Sequence, residues 1–245
     1  MNWKALSVSL LLAIPAFAGD DFKSANALFD AGKFAEAIAV YEKIEPKSAH
    51  VLFNLGNAQY RAGQLGRAMV SYARARRLAP GDPDILANLR FAEEQLGVAE
   101  VNLPAKPLAR FWKLLTGCRT IGQWARYEVA GVWLTVVLVA GAIWLPRLRT
   151  GCVIFVVVAG GWLIMTLAIL VCLTTAPPDA IVLTGRTEAR FAPLVDATVH
   201  FQLGEGTKVG IREDRGQWWL VERADGQQGW IKSEAAERVI LRMQF

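Results

Sequence analysis

The fold class the sequence predicts is a multidomain membrane protein. It comprises an α-helical repeat domain, a two-helix transmembrane hairpin and a small all-β barrel. Three observations predict it. An eight-residue pattern recurs near the start of the chain. Two long apolar runs, Tyr127–Leu145 and Cys152–Thr175, are split only by Pro146–Gly151. Beyond Pro177-Pro178 the pattern changes to short stretches of period two.

Each apolar run is near the roughly 20 residues a helix needs to cross a ~30 Å hydrocarbon core. Backbone amides in lipid must be satisfied internally, so both runs are expected to be helical, 127–145 and 152–175. The turn 146–151 is too short to cross back, so the pair forms a hairpin. Everything before it and everything after it then lies on one side of the membrane. Glu128, one residue inside the first run, is expected to snorkel outward and not to form an ion site. Trp124, Trp133 and Trp144 mark approximate interfaces, with Trp162 inside the second run.

Composition agrees. The 245 residues are 53% hydrophobic and 20% charged, too apolar for disorder and too charged for a polytopic transporter. Net charge is +5. Arg110, Lys113, Arg119 and Arg126 cluster before the hairpin, where lipid headgroups would meet them. The three cysteines, Cys118, Cys152 and Cys172, give neither a disulfide framework nor a metal spacing.

Residues 1–18 have the form of a secretory signal: Lys4, an apolar core Ala5–Ile14, and Ala16-Phe17-Ala18 at the cleavage position. Export would place both flanking modules outside the cytoplasm and Arg147 and Arg149 inside, in line with the positive-inside tendency. The basic cluster before the hairpin opposes that orientation.

Residues 20–97 carry the repeat. Ala31-Gly32-Lys33-Phe34-Ala35-Glu36-Ala37-Ile38 returns as Ala62-Gly63-Gln64-Leu65-Gly66-Arg67-Ala68-Met69. Between Ala49 and Asp82, Leu52, Leu55, Gly56, Gly63, Leu65, Ala68, Tyr72, Ala75 and Pro80 fall at the spacing of a tetratricopeptide repeat, which this stretch resembles. Gly56 and Ala68 would let two antiparallel helices cross closely, Tyr72 and Leu52 fill the space beside the crossing, and Gly63 makes the turn. A shorter first copy occupies about residues 20–48, with Ala25 in place of the first-helix glycine. Pro83–Leu96 is the expected solvating cap.

The resemblance implies a groove formed by the first helix of each pair. By register, Asn26, Phe29, Asn54, Asn57, Tyr60 and Asn88 would face it. Asparagine amides there suit the backbone of an extended peptide. Asn54 and Asn57 serve equally well as residues that cap or space helices. No lysine pair of the kind that clamps a terminal carboxylate is present.

Residues 98–126 hold an extended linker with Pro104 and Pro107, then an interfacial segment around Trp112. In 178–245, strands are expected at Ala180–Leu183, Thr187–Arg190, Thr207–Arg212, Trp218–Arg223 and Gln228–Lys232. Gly204-x-Gly206-Thr207-Lys208-Val209, Gly216-x-Trp218-Trp219-Leu220-Val221 and Gly229-Trp230-Ile231 together resemble a bacterial SH3 domain. Ala192-Pro193 stands at that family's small-residue–proline turn, with Phe191 where the family has arginine. Trp218, Trp219 and Trp230 are the candidate ligand face for cell-wall peptide or a protein partner. Each is also a candidate for the core.

No acid, base or nucleophile constellation is recognisable, so no enzyme, cofactor or metal site is expected. The module order resembles BatE-type aerotolerance proteins. That resemblance implies a bacterial inner-membrane accessory protein with both soluble modules periplasmic. Its expected partners are von Willebrand A-domain membrane proteins and, indirectly, a MoxR-type ATPase. The expected role is an interaction scaffold, with membrane lipid as surroundings and no nucleic acid. The alternative is a peptidoglycan receptor acting through the β domain.

Overall fold

The computed structural model describes residues 17–98, 121–144, 149–175 and 179–239. The predicted signal segment before Phe17, the interfacial segment around Trp112 with Arg110, Lys113 and Arg119, and residues 146–148 of the predicted Pro146–Gly151 turn lie outside the described residues; 149–151 of that turn begin a helix.

The first five helices are α1 (Phe17–Asp30), α2 (Phe34–Tyr41), α3 (Ala49–Arg61), α4 (Leu65–Leu78) and α5 (Pro83–Gln95). Their ends follow from local chemistry. Ser48 caps α3 by accepting from the Val51 N–H, and Asp82 caps α5 from Asp84 and Ile85, with Pro83 in the first turn. Gly32 and Gly63 end α1 and α3 at φ +75° and +78°, and the next residue's N–H returns to the carbonyl five positions back. This closes the last turn in a left-handed conformation that glycine adopts without steric cost.

The crossing of α3 and α4 is as tight as the repeat pattern predicts. A Cβ at Gly56 would sit 2.6 Å from the Tyr72 ring, and Ala68 is fully buried. Inside it, Ser71 donates to Gln59 Oε1 at 2.7 Å, so the buried polar pair is satisfied.

Two long helices follow, α6 (Ile121–Trp144) and α7 (Arg149–Thr175). α6 starts six residues before the predicted run and α7 three before. Thr166 bonds Glu128, and Gly131 abuts Leu163; each pair of numbers has the same sum, so the helices are antiparallel. The less exposed positions of α6 include Trp124, Glu128, Gly131, Thr135 and Leu138, spaced four and three apart as in the seam of a left-handed helix pair, with Gln123 and Gly141 beside them. Glu128 therefore does not snorkel outward: its carboxylate accepts from the fully buried Thr166 hydroxyl inside this seam. Away from the seam the apolar side chains are uncovered, Trp133 by 67% and Ile164 by 72%. Among the described residues, no helix is long and apolar enough to cross a membrane.

The C-terminal part is a seven-stranded antiparallel sheet of order β3-β2-β6-β5-β4-β1-β7. Its strands are β1 (Asp179–Val182), β2 (Thr187–Arg190), β3 (Val199–Leu203), β4 (Lys208–Asp214), β5 (Trp218–Arg223), β6 (Gln228–Lys232) and β7 (Ala236–Arg238). β3 and β7 are additional to the five predicted. Laid flat, six spacings of about 4.8 Å would put β3 about 29 Å from β7. Yet Leu203 of β3 and Ala236 of β7 join one buried cluster with Val182, Ala189, Ile211, Val221 and Ile231, so the sheet curls around its own core.

The sheet is docked on the repeats. Ile181 and Val239 belong to the same buried cluster as Ala68, Met69 and Ala73 of α4, with Leu96, Val98 and Leu183 packed around it. A Cβ on Gly206 would lie 2.6 to 2.9 Å from Leu96, Met69 and Val98, and one on Gly66 would lie 3.2 Å from the Leu183 Cα. Both contacts depend on glycine. Polar bonds border the apolar patch: Gly66 N–H to Glu205 Oε1 at 2.7 Å, Arg74 Nη2 to the Arg238 carbonyl at 2.6 Å and to Glu237 at 2.8 Å, and Lys208 to Glu93. Gly66, Met69, Ala73 and Arg77 lie three to four apart, so one face of α4 takes the sheet.

Candidate functional site

The repeats carry a polar ladder. Tyr72 Oη donates to Asn57 Oδ1 at 2.8 Å, and Asn88 Nδ2 donates to the same oxygen at 2.8 Å. One repeat earlier, Tyr41 Oη donates to Asn26 Oδ1 at 2.5 Å, and Asn54 Nδ2 joins it at 3.1 Å. The asparagines of this pattern, 26, 57 and 88, are 31 residues apart, and each tyrosine follows its asparagine by 15. The ladder thus belongs to the repeat itself.

A cavity of about 300 Å³ opens beside it, lined by Asn26, Phe29, Asp30, Tyr41, Asn54 and Asn57. Four of the six predicted groove residues therefore share one cavity. Asn88 joins through Asn57. Tyr60 stands further along, its ring 5.6 Å from Phe91. The missed residues are Tyr41, Tyr72 and Asp30. The 15-residue offset between asparagine and tyrosine, repeated once, was the available signal.

The bonding sets the chemistry of the groove. The Oδ1 atoms of Asn26 and Asn57 each accept two bonds, which fills their lone pairs. Their own amide groups have no acceptor among the described residues, and the Oδ1 atoms of Asn54 and Asn88 have no donor. The groove thus alternates unused donors and unused acceptors, the complement of an extended backbone. Burial pushes the Tyr72 phenol well above its ordinary pKa and the Tyr41 phenol in the same direction, so both stay protonated donors at neutral pH.

The three tryptophans of the sheet are not brought together as one face. Trp219 packs on the inner cluster, opposite Ile231, with the Arg238 guanidinium 4.7 Å from its ring. Trp230 and Trp218 alternate to the other face. Trp230 is buried under Arg215 at 4.7 Å. Trp218 lines a cavity of about 220 Å³, with Arg186, Glu188, Arg190 and Lys232 among its walls. Of the two histidines, His50 is exposed and His200 stacks on Phe191 at 4.2 Å. Among the described residues, no group of three or more metal-ligating side chains is gathered.

A stacked helical repeat with an open polar groove defines a class of protein, the repeat-based interaction module. Residues 28–93 match the tetratricopeptide repeat family, so this part of the chain is a tetratricopeptide repeat domain. Such repeats bind protein partners and serve as scaffolds for protein–protein interaction. A comparison with curated proteins found no match.

Proposed function

We propose that the protein is a membrane-anchored scaffold whose repeat groove holds an extended segment of a protein partner. The alternation of unused amide donors and carbonyl acceptors along Asn26, Asn54, Asn57 and Asn88 carries this reading, because it matches a peptide backbone without reading its side chains. Asp30 at the cavity adds a preference for a basic residue in that segment.

The anchor is the α6–α7 hairpin. Support comes from the apolar side chains uncovered on both helices away from their seam, a surface far larger than soluble monomers leave open. Backbones of 24 and 27 helical residues are about 36 and 40 Å long at 1.5 Å per residue. Docking of the sheet, which follows the hairpin, on α4, which precedes it, requires both to lie on one side. An even number of spans meets that requirement. With the signal segment, the side is the periplasm of a bacterial inner membrane. The curled sheet is an SH3-type barrel that docks a second partner. The module order supports a place in a BatE-type assembly with von Willebrand A-domain membrane proteins and a MoxR-type ATPase.

The test is affinity capture by the full-length protein from detergent-solubilised membranes. Asn57→Ala with Tyr60→Ala should lose the captured partner while the thermal melt shows a folded repeat. Capture undiminished by that pair removes the groove from the model. A second reading, a peptidoglycan receptor, has the Trp218 cavity in its favour; isolated peptidoglycan should then retain the native protein and release Trp218→Ala.

A further inference from the structure

One cavity lies in neither module but between them. It measures about 410 Å³, and its walls come from α4, β1, β4 and β5. Five cations line it, Arg76, Arg77, Lys208, Arg212 and Arg223, against two carboxylates, Asp179 and Glu222.

The ion pairs there hold the side chains in place and leave donors over. Arg77 reaches Asp179 through Nη2 alone, at 3.3 Å. Arg212 reaches Glu222 through Nε, which leaves both its Nη groups without a protein acceptor among the described residues. Arg76 has no anionic partner among them. Lys208 is held by Glu93 and Arg223 by Asp225. Planar guanidinium groups with unused N–H donors are suited to bidentate contact with phosphate oxygens. Ile181, Val209 and Val239 supply an apolar floor.

The position adds a second argument. Asp179 on the cavity wall follows Thr175, the end of α7, by four residues, a tether of at most about 14 Å. On the hairpin reading, from which this step follows, the cavity opens near the headgroup layer.

We propose that this interdomain cleft binds a phosphate ester, gripped by Arg76 and Arg77 on one side and Arg212 on the other. An anionic lipid headgroup and a soluble phosphate share that chemistry. Because the ligand touches both modules, its binding tightens their docking.

The test uses the full-length protein in neutral detergent, titrated calorimetrically with dihexanoyl phosphatidylglycerol and, separately, with inorganic phosphate. Arg76→Ala with Arg212→Ala should weaken binding by at least about tenfold, as expected for two lost charge-assisted contacts. Arg67→Ala, exposed on α4 outside the cleft, should not. Loss confined to the lipid arm assigns the headgroup; equal loss in the phosphate arm assigns a soluble phosphate ligand, and that arm stands even if the hairpin lies outside a membrane. Binding unchanged by the double substitution, in a variant whose melt is native, overturns the proposal, as does no binding by the native protein in either arm.

Discussion

The Glu205 carboxylate accepts a hydrogen bond from the Gly66 backbone N–H at 2.7 Å, joining residues 139 positions apart. Gly66 is in the first turn of α4, whose own preceding residue, Gln64, gives no side-chain cap. The sheet thus supplies from a distance the negative charge that a helix start favours. Folding of α4 and docking of the sheet are coupled through this bond.

Glu205→Ala should therefore cost about 1 kcal/mol, the usual value of a lost helix cap. Hydrogen exchange of the first α4 amides measures it directly. Protection should fall at Gly66 and Arg67 while the α3 amides keep theirs.

Gly206→Leu should undock the modules. Its side chain would enter the space of Leu96, Met69 and Val98 at a backbone φ of +80°. Overpacking costs about 1 to 3 kcal/mol and left-handed strain about 1 to 2 kcal/mol. Proteolysis should then cut the chain between the repeats and the sheet, leaving two resistant fragments.

Alkaline titration should single out Tyr72 and Tyr41. Burial raises the folded-state pKa of Tyr72 and Tyr41 above the unfolded value. The protonated phenol is thus the form the fold favours. This contribution is full below about pH 10 and lost as pH rises through the folded-state pKa. Phenolate absorbance should show two late-titrating groups ending in unfolding of the repeats, and Tyr72→Phe should remove one of them at a cost of about 1 kcal/mol.

Acid should act on the sheet. The Arg223 side chain bonded to Asp225 holds its carboxyl down to about 2, and the Arg212 side chain lowers Glu222. Depressed carboxyls add stability that is present above the unfolded value and lost as pH falls through the folded one. Asp225 is exposed and Glu222 half-buried at the surface, so screening limits the effect and salt should shrink it further. Tryptophan fluorescence between pH 4 and pH 2 should report loosening, arriving at higher pH in Arg223→Gln.

Much of this architecture was legible in the sequence because its constraints are local. Gly56 and Tyr72 announce the helix crossing by size alone, and five strands show their alternation. β3 was missed although Val199, Phe201 and Leu203 alternate, because only Leu203 is buried on that edge strand. β7 has three residues, too few for a period. Glu128 was placed one residue inside a run, where snorkelling is the simplest expectation; its true partner, Thr166, is set by the register of the opposite helix. The groove residues were legible from repeat register, but not the tyrosine bonds that divide them into donors and acceptors. The docked interface was not legible at all. Its residues, Gly66, Met69, Ile181, Glu205 and Gly206, look ordinary until the fold brings them together.

That interface is also the best handle on the central claim, that the repeats and the sheet lie docked on one face of a membrane crossed twice. Reporter fusions placed after residues 97, 148 and 245 measure it directly. The account predicts outside, inside, outside. Opposite signs at 97 and 245 would contradict it, because modules on different sides of a bilayer cannot share the Gly66–Glu205 bond.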